Sequence, residues 1–379
     1  MKTKLRLSQL LIMFLFSIGT LGTWAQTSQS LTQTVCVGNQ PYKVDPISGA
    51  TFMWSISGGV PADYQINGTG DNITVDWNTP GIYDLSVYSY IVISCPSITQ
   101  SVTVTVVPQP IGPTLDVKTP NLASVCIGTD VSATFIAGSG GVGCSDAFEY
   151  RFDGGSWTTY TPGTNLSTTG HTLVEIQGQR SGCTSGAGCT GTPWVTLASW
   201  IVTPLPTASI SYTGPFCTSD ITTQAVTLTG TTGGTYSSTV GLSIDAATGA
   251  ITPSTSTAGL YTVTYTIAAS GGCGVVTAAT SVTITTAPTA SISYASPFCT
   301  SIVSAQAVTL TGTSGGTYTV LPAGLTINAA TGAITPNTSI AGTYTVTYSI
   351  AASGGCGLVT ATASITINQT PTTSPIWHN

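Results

Sequence analysis

The sequence predicts an all-β chain of serial two-sheet sandwiches, and three observations carry that prediction. Apolar residues recur with period two: Tyr261, Val263, Tyr265 and Ile267 fall on one face of a run whose other face is Thr262, Thr264 and Thr266, the alternation of a half-buried strand. Gly-Gly, Thr-Gly and Ala-Gly pairs punctuate these runs as turns. Thr and Val dominate while Lys, Glu and Gln are scarce, and β-branched side chains pack well on a pleated surface. A hydrophobic content of 41% is enough to bury cores, so the Gly-, Ser- and Thr-rich composition does not signal disorder.

The first 25 residues stand apart. Lys2, Lys4 and Arg6 precede a short apolar run from Leu10 to Phe16, and Thr23-Trp24-Ala25 offers a cleavage point before Gln26. The run is well short of the roughly 20 residues of a spanning helix, so residues 1–25 read as a secretory signal peptide. No Cys follows the cleavage point and no second long apolar run occurs, so export without membrane insertion is the expectation. Beyond the leader only Lys43, Lys118, Arg151 and Arg180 oppose 13 acids. Four scattered bases cannot track a phosphate backbone, which excludes nucleic acid and disfavours an anionic membrane surface.

Internal repetition sets the domain plan. Pro206-Thr207-Ala208-Ser209-Ile210-Ser211-Tyr212 returns at residues 288–294, and Pro215-Phe216-Cys217 returns as Pro297-Phe298-Cys299. The run 246–253 returns at 329–336 after one inserted residue near Leu321-Pro322-Ala323, a tolerable change in a surface connection. Four modules follow: 26–108, 109–205, repeat A at 206–287 and repeat B at 288–370. Residues 371–379 read as a tail or the start of a truncated further repeat, because Pro371-Thr372-Thr373-Ser374 parallels Pro288-Thr289-Ala290-Ser291. Pro-rich joints separate the units.

The stretch Leu321 to Ile327, followed by Ala330-Thr331-Gly332 and by Ala341 to Val346, resembles Ig domains related to cadherin-like and dystroglycan-type modules, and repeat A matches from Gly241 onward. The acidic calcium motifs of true cadherins are absent. Residues 31–107, with Trp54 and the run Gly81 to Val87, resemble the PKD-like domains of Bacteroidetes surface proteins, which carry a core Trp. Residues 111–204, with Tyr150 to Trp157 and Gly170 to Ile176, resemble Ig-like accessory domains of secreted glycosidases and surface proteins. These resemblances imply tandem immunoglobulin-like β-sandwich domains and a secreted, adhesin-type protein of the Bacteroidetes cell surface. Many such proteins leave by the type IX route with a C-terminal sorting domain, which is not seen here.

Ten cysteines in an exported chain read as disulfides rather than a metal site, since no C-x-x-C pair exists. Module boundaries predict five bridges: Cys36–Cys95, Cys126–Cys183, Cys144–Cys189, Cys217–Cys273 and Cys299–Cys356, four of them separated by 56 to 59 residues. On this reading each module is closed by its own cross-link, worth roughly 4 kcal/mol in the chain-entropy account.

Reactive chemistry is hard to find. His171 and His378 are the two histidines; the first reads as structural and the second as tail. Asp146, Glu149 and Asp153 are the candidates for calcium, against a charge-paired strand face in which Arg151 lies between Glu149 and Asp153. Asp71 and Asp76 read as turn caps. Trp157 and Tyr160, with Trp194 and Trp200, are candidates for stacking on sugar rings, against a place in a sandwich core. Tyr83, Tyr261 and Tyr344 read as tyrosine corners. No catalytic residue and no cofactor is predicted. The expected function is a non-enzymatic extracellular scaffold or spacer, its partner an extracellular protein or polysaccharide surface, with self-association into a fibre or membership of a longer chain. A glycan-binding accessory protein is the alternative.

Overall fold

A computed structural model describes residues 32–91 and 96–377; the predicted leader, Cys95 and His378 lie outside the described residues. Among the described residues, apart from two single 3₁₀ turns, Pro253–Thr255 and Pro336–Thr338, the regular structure is all strand. The chain divides after Thr203 into two compact units, and each contains two separate hydrophobic cores.

In the first unit, one core lies between a four-stranded sheet, ordered Thr32–Cys36, Gln100–Val107, Gly81–Tyr90, Thr51–Ser57, and a three-stranded sheet, ordered Gly38–Lys43, Asn72–Trp77, Tyr64–Asn67. Trp77, not Trp54, fills this core. Trp77 is fully buried on the strand whose alternate residues Ile73 and Val75 also point inward. Trp54 packs on the margin and donates its indole N–H to the Gly70 carbonyl at 2.8 Å. The second core lies under a five-stranded sheet, ordered Thr158–Thr159, Ser145–Phe152, Leu173–Ser181, Val195–Thr203, Ser124–Cys126, with Thr114–Thr119 and Ser132–Ile136 forming the opposing pair.

The two repeats in the second unit share one plan. In repeat A, Phe216–Cys217, Val276–Thr285, Gly259–Ile267 and Thr235–Ser238 form one sheet, and Ala208–Ser211 with Thr227–Gly230 the other; repeat B has the same order. Tyr261, Val263, Tyr265 and Ile267 all face the core, as the alternation predicts. The inserted residue of repeat B lengthens Thr317–Leu321 by one position over its counterpart Thr235–Ser238, so the core is untouched. Three tyrosine corners hold: Tyr83, Tyr261 and Tyr344 each donate to the carbonyl four residues upstream, Thr79, Thr257 and Ile340.

The predicted disulfide pairing is overturned. Cys36 is bonded to Cys189 and Cys217 to Cys356, 153 and 139 residues apart, and each bond joins one core to the next. Cys144 pairs with Cys183 inside the second module, because the register Ser145↔Ser181 brings the two together where their strands begin and end. Cys126 and Cys273 are also disulfide-bonded, and Cys299 is a free, exposed thiol.

The reason is polar geometry. Cys217 pairs in register with Thr285 at one end of the strand Val276–Thr285, while the turn carrying Cys273 precedes the other end. Ten residues of strand span roughly 30 Å, and a disulfide needs Cα atoms within about 7 Å. The two cysteines of one repeat therefore sit at opposite poles and cannot meet. In the first module Cys36 likewise closes its strand at one end of a partner, in register with Val107 at the end of Gln100–Val107.

Candidate functional site

None of the predicted ligand clusters assembles. Asp146 is paired with Arg180 at 2.9 Å and accepts the Gly138 N–H at 2.8 Å. Glu149 accepts from the Gln177 amide at 2.9 Å. Arg151 does not lie between acids of its own strand; it crosses to Glu175 at 2.7 Å and covers the Trp157 ring at 4.4 Å. Asp153 sits in the left-handed region at φ 53°, where Asp is tolerated better than most residues. It is fixed there by bonds from the Thr172 hydroxyl and N–H at 2.7 Å each, the Leu173 N–H at 3.0 Å and His171 Nδ1 at 2.8 Å. The Thr172 hydroxyl first, then His171 and the backbone, hold its carboxyl well below the ordinary carboxylate range. His171 is stacked flat on Phe152 at 3.8 Å, a turn-fixing role. Among the described residues no group of three or more His, Cys, Asp or Glu is placed to hold a metal.

The aromatic platform also fails to form. Tyr160 is buried in the second core, where its hydroxyl accepts the Ala133 N–H and lies within reach of the Ala133 and Thr164 carbonyls. Trp200 is fully buried, donating to the Pro120 carbonyl at 2.9 Å, with Lys118 over its ring. Trp157 and Trp194 are half-buried.

What the structure does assemble are the junctions between neighbouring cores. In the first unit the turn bearing Cys189 seats on the pole bearing Cys36: the Cys36 N–H donates to the Ala187 carbonyl at 2.7 Å. Gln40, 4% exposed, points its amide at the Cys36 and Ala187 carbonyls. Gln109 clamps the same turn, donating to Gly188 and Val37 and accepting the Thr190 N–H at 3.0 Å. In the second unit the turn is Ser353-Gly354-Gly355-Cys356, a two-residue hairpin closed by reciprocal Ser353–Cys356 backbone bonds. Its glycines take φ 58° and 82°, the double left-handed geometry of a type I′ turn. A Cβ on Gly355 would collide with the Pro215 carbonyl on the pole of repeat A, so this seat requires glycine.

Sequence reasoning missed Gln40, Gln109, Ala187 and Gly188. The Pro-rich run 108–113 marked the joint, but nothing marked two glutamines as its clamps. Among the described residues no helix is long and apolar enough to cross a membrane.

No family model matches the chain, and no curated protein matches it. Among solved structures it is similar to Drosophila N-cadherin EC1-4 (10% identity, 90% of this chain and 100% of that one covered, TM-score 0.29). It is also similar to an ICAM-5 D1-D4 ectodomain fragment (10%, 90% and 98%, TM-score 0.44) and to the mouse nectin-like molecule 4 full ectodomain (12%, 68% and 98%, TM-score 0.34).

Proposed function

We propose that the protein is a non-enzymatic, adhesin-like scaffold of the extracellular space, a bacterial cell-surface spacer whose immunoglobulin-like modules are stapled in series. The observation that carries this reading is the pair of bonds Cys36–Cys189 and Cys217–Cys356, each tying one core to its neighbour. A disulfide closing a long loop restricts the unfolded chain. Between modules with cores of their own it does something further: it limits rotation about the joint and gives tension a covalent path around the polypeptide. Disulfides persist in oxidising compartments, which supports an exported location. The low surface charge and Thr-rich strand faces suit an extracellular fibre with few Lys or Arg cleavage sites. A sugar platform on Trp157 and Tyr160 is not favoured, since one is capped by Arg151 and the other is buried.

Single-molecule stretching of the full chain tests the reading. With the bridges intact, the 153- and 139-residue loops stay closed on unfolding. Reduction then lengthens the unfolded contour by about 100 nm at up to 3.6 Å per residue. Equal contour lengths with and without reductant would overturn the stapled spacer.

A further inference from the structure

We propose that Cys299 is the receiving half of one more inter-module staple, taking the hairpin cysteine of a further immunoglobulin-like module. This rests on the stapled-module reading above. Cys299 is the counterpart of Cys217: both follow Pro-Phe, and both close a two-residue strand running parallel to the last strand of their repeat. Cys217 is 1% exposed and bonded to Cys356 of the next repeat, whereas Cys299 is exposed and free.

The seat around Cys299 is already built. Phe298 is buried as Phe216 is. The Thr300 N–H donates to the Asn368 carbonyl at 2.9 Å and the Thr300 hydroxyl accepts the Thr370 N–H at 2.9 Å. In repeat A, Thr218 makes the same two bonds, with Thr285 and Ala287, at 2.9 and 2.8 Å. In repeat A this pole holds a Ser-Gly-Gly-Cys hairpin. Repeat B therefore presents a matching pole, with the sulfur outward.

The partner is defined by chemistry: a type I′ Gly-Gly hairpin ending in a cysteine, since a side chain at the second glycine would meet the pole's Pro carbonyl, as Gly355 meets that of Pro215. Bond formation removes two protons and two electrons from the two thiols. A low-molecular-weight disulfide accepts them and leaves as two thiols, by exchange through a mixed disulfide.

The test extends the full chain beyond Pro371 with a second copy of residues 289–370 whose own Cys299 equivalent is Ser, followed by non-reduced peptide mapping after iodoacetamide. The expected result is a Cys299 bond to the copied Cys356, with Cys299 alkylation falling roughly tenfold or more, as the high effective concentration of a tethered partner dictates. Recovery of alkylated Cys299 beside an intact Cys217–Cys356 bridge overturns this proposal alone. Loss of the Cys217–Cys356 bridge as well overturns the stapled spacer and this proposal together. Mapping the protein from its own cells identifies the carrier: a hairpin-cysteine peptide on Cys299, from a copy of this chain or from another, supports the proposal, and a free or small-thiol-capped Cys299 overturns it.

Discussion

Repeats A and B fold alike but hold their turns with different chemistry. In repeat A, Asp245 accepts the Ala247 and Thr248 N–H groups at 2.9 and 2.7 Å. In repeat B, Asn328 accepts the equivalent Ala330 and Thr331 N–H groups at 2.9 and 3.0 Å. At the other acidic position, Asp220 of repeat A, which accepts from Thr222 and Gln224, is replaced by Ile302. The backbone is unchanged, since the Ile302 N–H still donates to Cys299 as the Asp220 N–H does to Cys217. An oxygen acceptor at the right place decides the Asp245 turn; its charge decides only how the turn responds to pH.

The likeness of the two repeats can be broken or sharpened by experiment. The largest effect lies in the cores, which should respond identically. Tyr265 and Tyr348 are each 1% exposed, and their hydroxyls accept the Gly234 and Gly316 N–H groups and donate to the Thr231 and Thr313 carbonyls. Tyr265→Ala and Tyr348→Ala are each expected to cost about 3–5 kcal/mol in denaturant unfolding. A difference beyond 2 kcal/mol between them would show that the two cores are not equivalent.

The alkaline limb comes next and should also be shared. Burial, with a smaller contribution from Tyr236, pushes the Tyr212 phenol up to about 12, and burial beside Tyr318 raises Tyr294 in the same sense. A phenol whose pKa is raised on folding stabilises fully below its unfolded value near 10. That contribution is lost as pH rises through the folded value. Thermal melts between pH 8 and 12 should show both repeats weakening above pH 10, and Tyr212→Phe should flatten the fall in repeat A only.

The acid limb gives the smallest effect and should separate the repeats. Bonds from Thr248 and Ala247 lower the Asp245 pKa, and the Thr222 hydroxyl and N–H lower that of Asp220. A lowered carboxyl stabilises above its unfolded value near 3.9 and loses that contribution as pH falls through the folded one. Repeat A should therefore weaken below about pH 4 while repeat B, with no carboxylate, does not. Asp245→Asn should narrow the gap in acid melts, and Asn328→Asp should introduce a fall in repeat B.

The strand plan was legible because period two leaves little choice of face: Tyr261, Val263 and Tyr265 had to point the same way. Repeated turns and tyrosine corners were legible for the same reason, being local. The cysteine pairing was not. In a chain of equal modules the spacing from Cys217 to Cys273 repeats from Cys299 to Cys356 whether bonds run within modules or between them. Only the length of the strand separating the poles decides. Trp54 and Trp77 illustrate a second limit, since both lie in strand-forming runs and only sheet packing says which is central. Tyr160 shows a third: an aromatic after a Gly-rich turn reads equally as a platform or as core until its hydroxyl partners are seen.

The Cys217–Cys356 bond also changes what a protease can do. The joint at Ala287-Pro288 lies between the two bonded positions, so a nick there opens the polypeptide without separating its halves. The repeats would run as one species on a gel until reductant is added. Repeat B would thus stay attached to repeat A after the peptide connecting them had been cut.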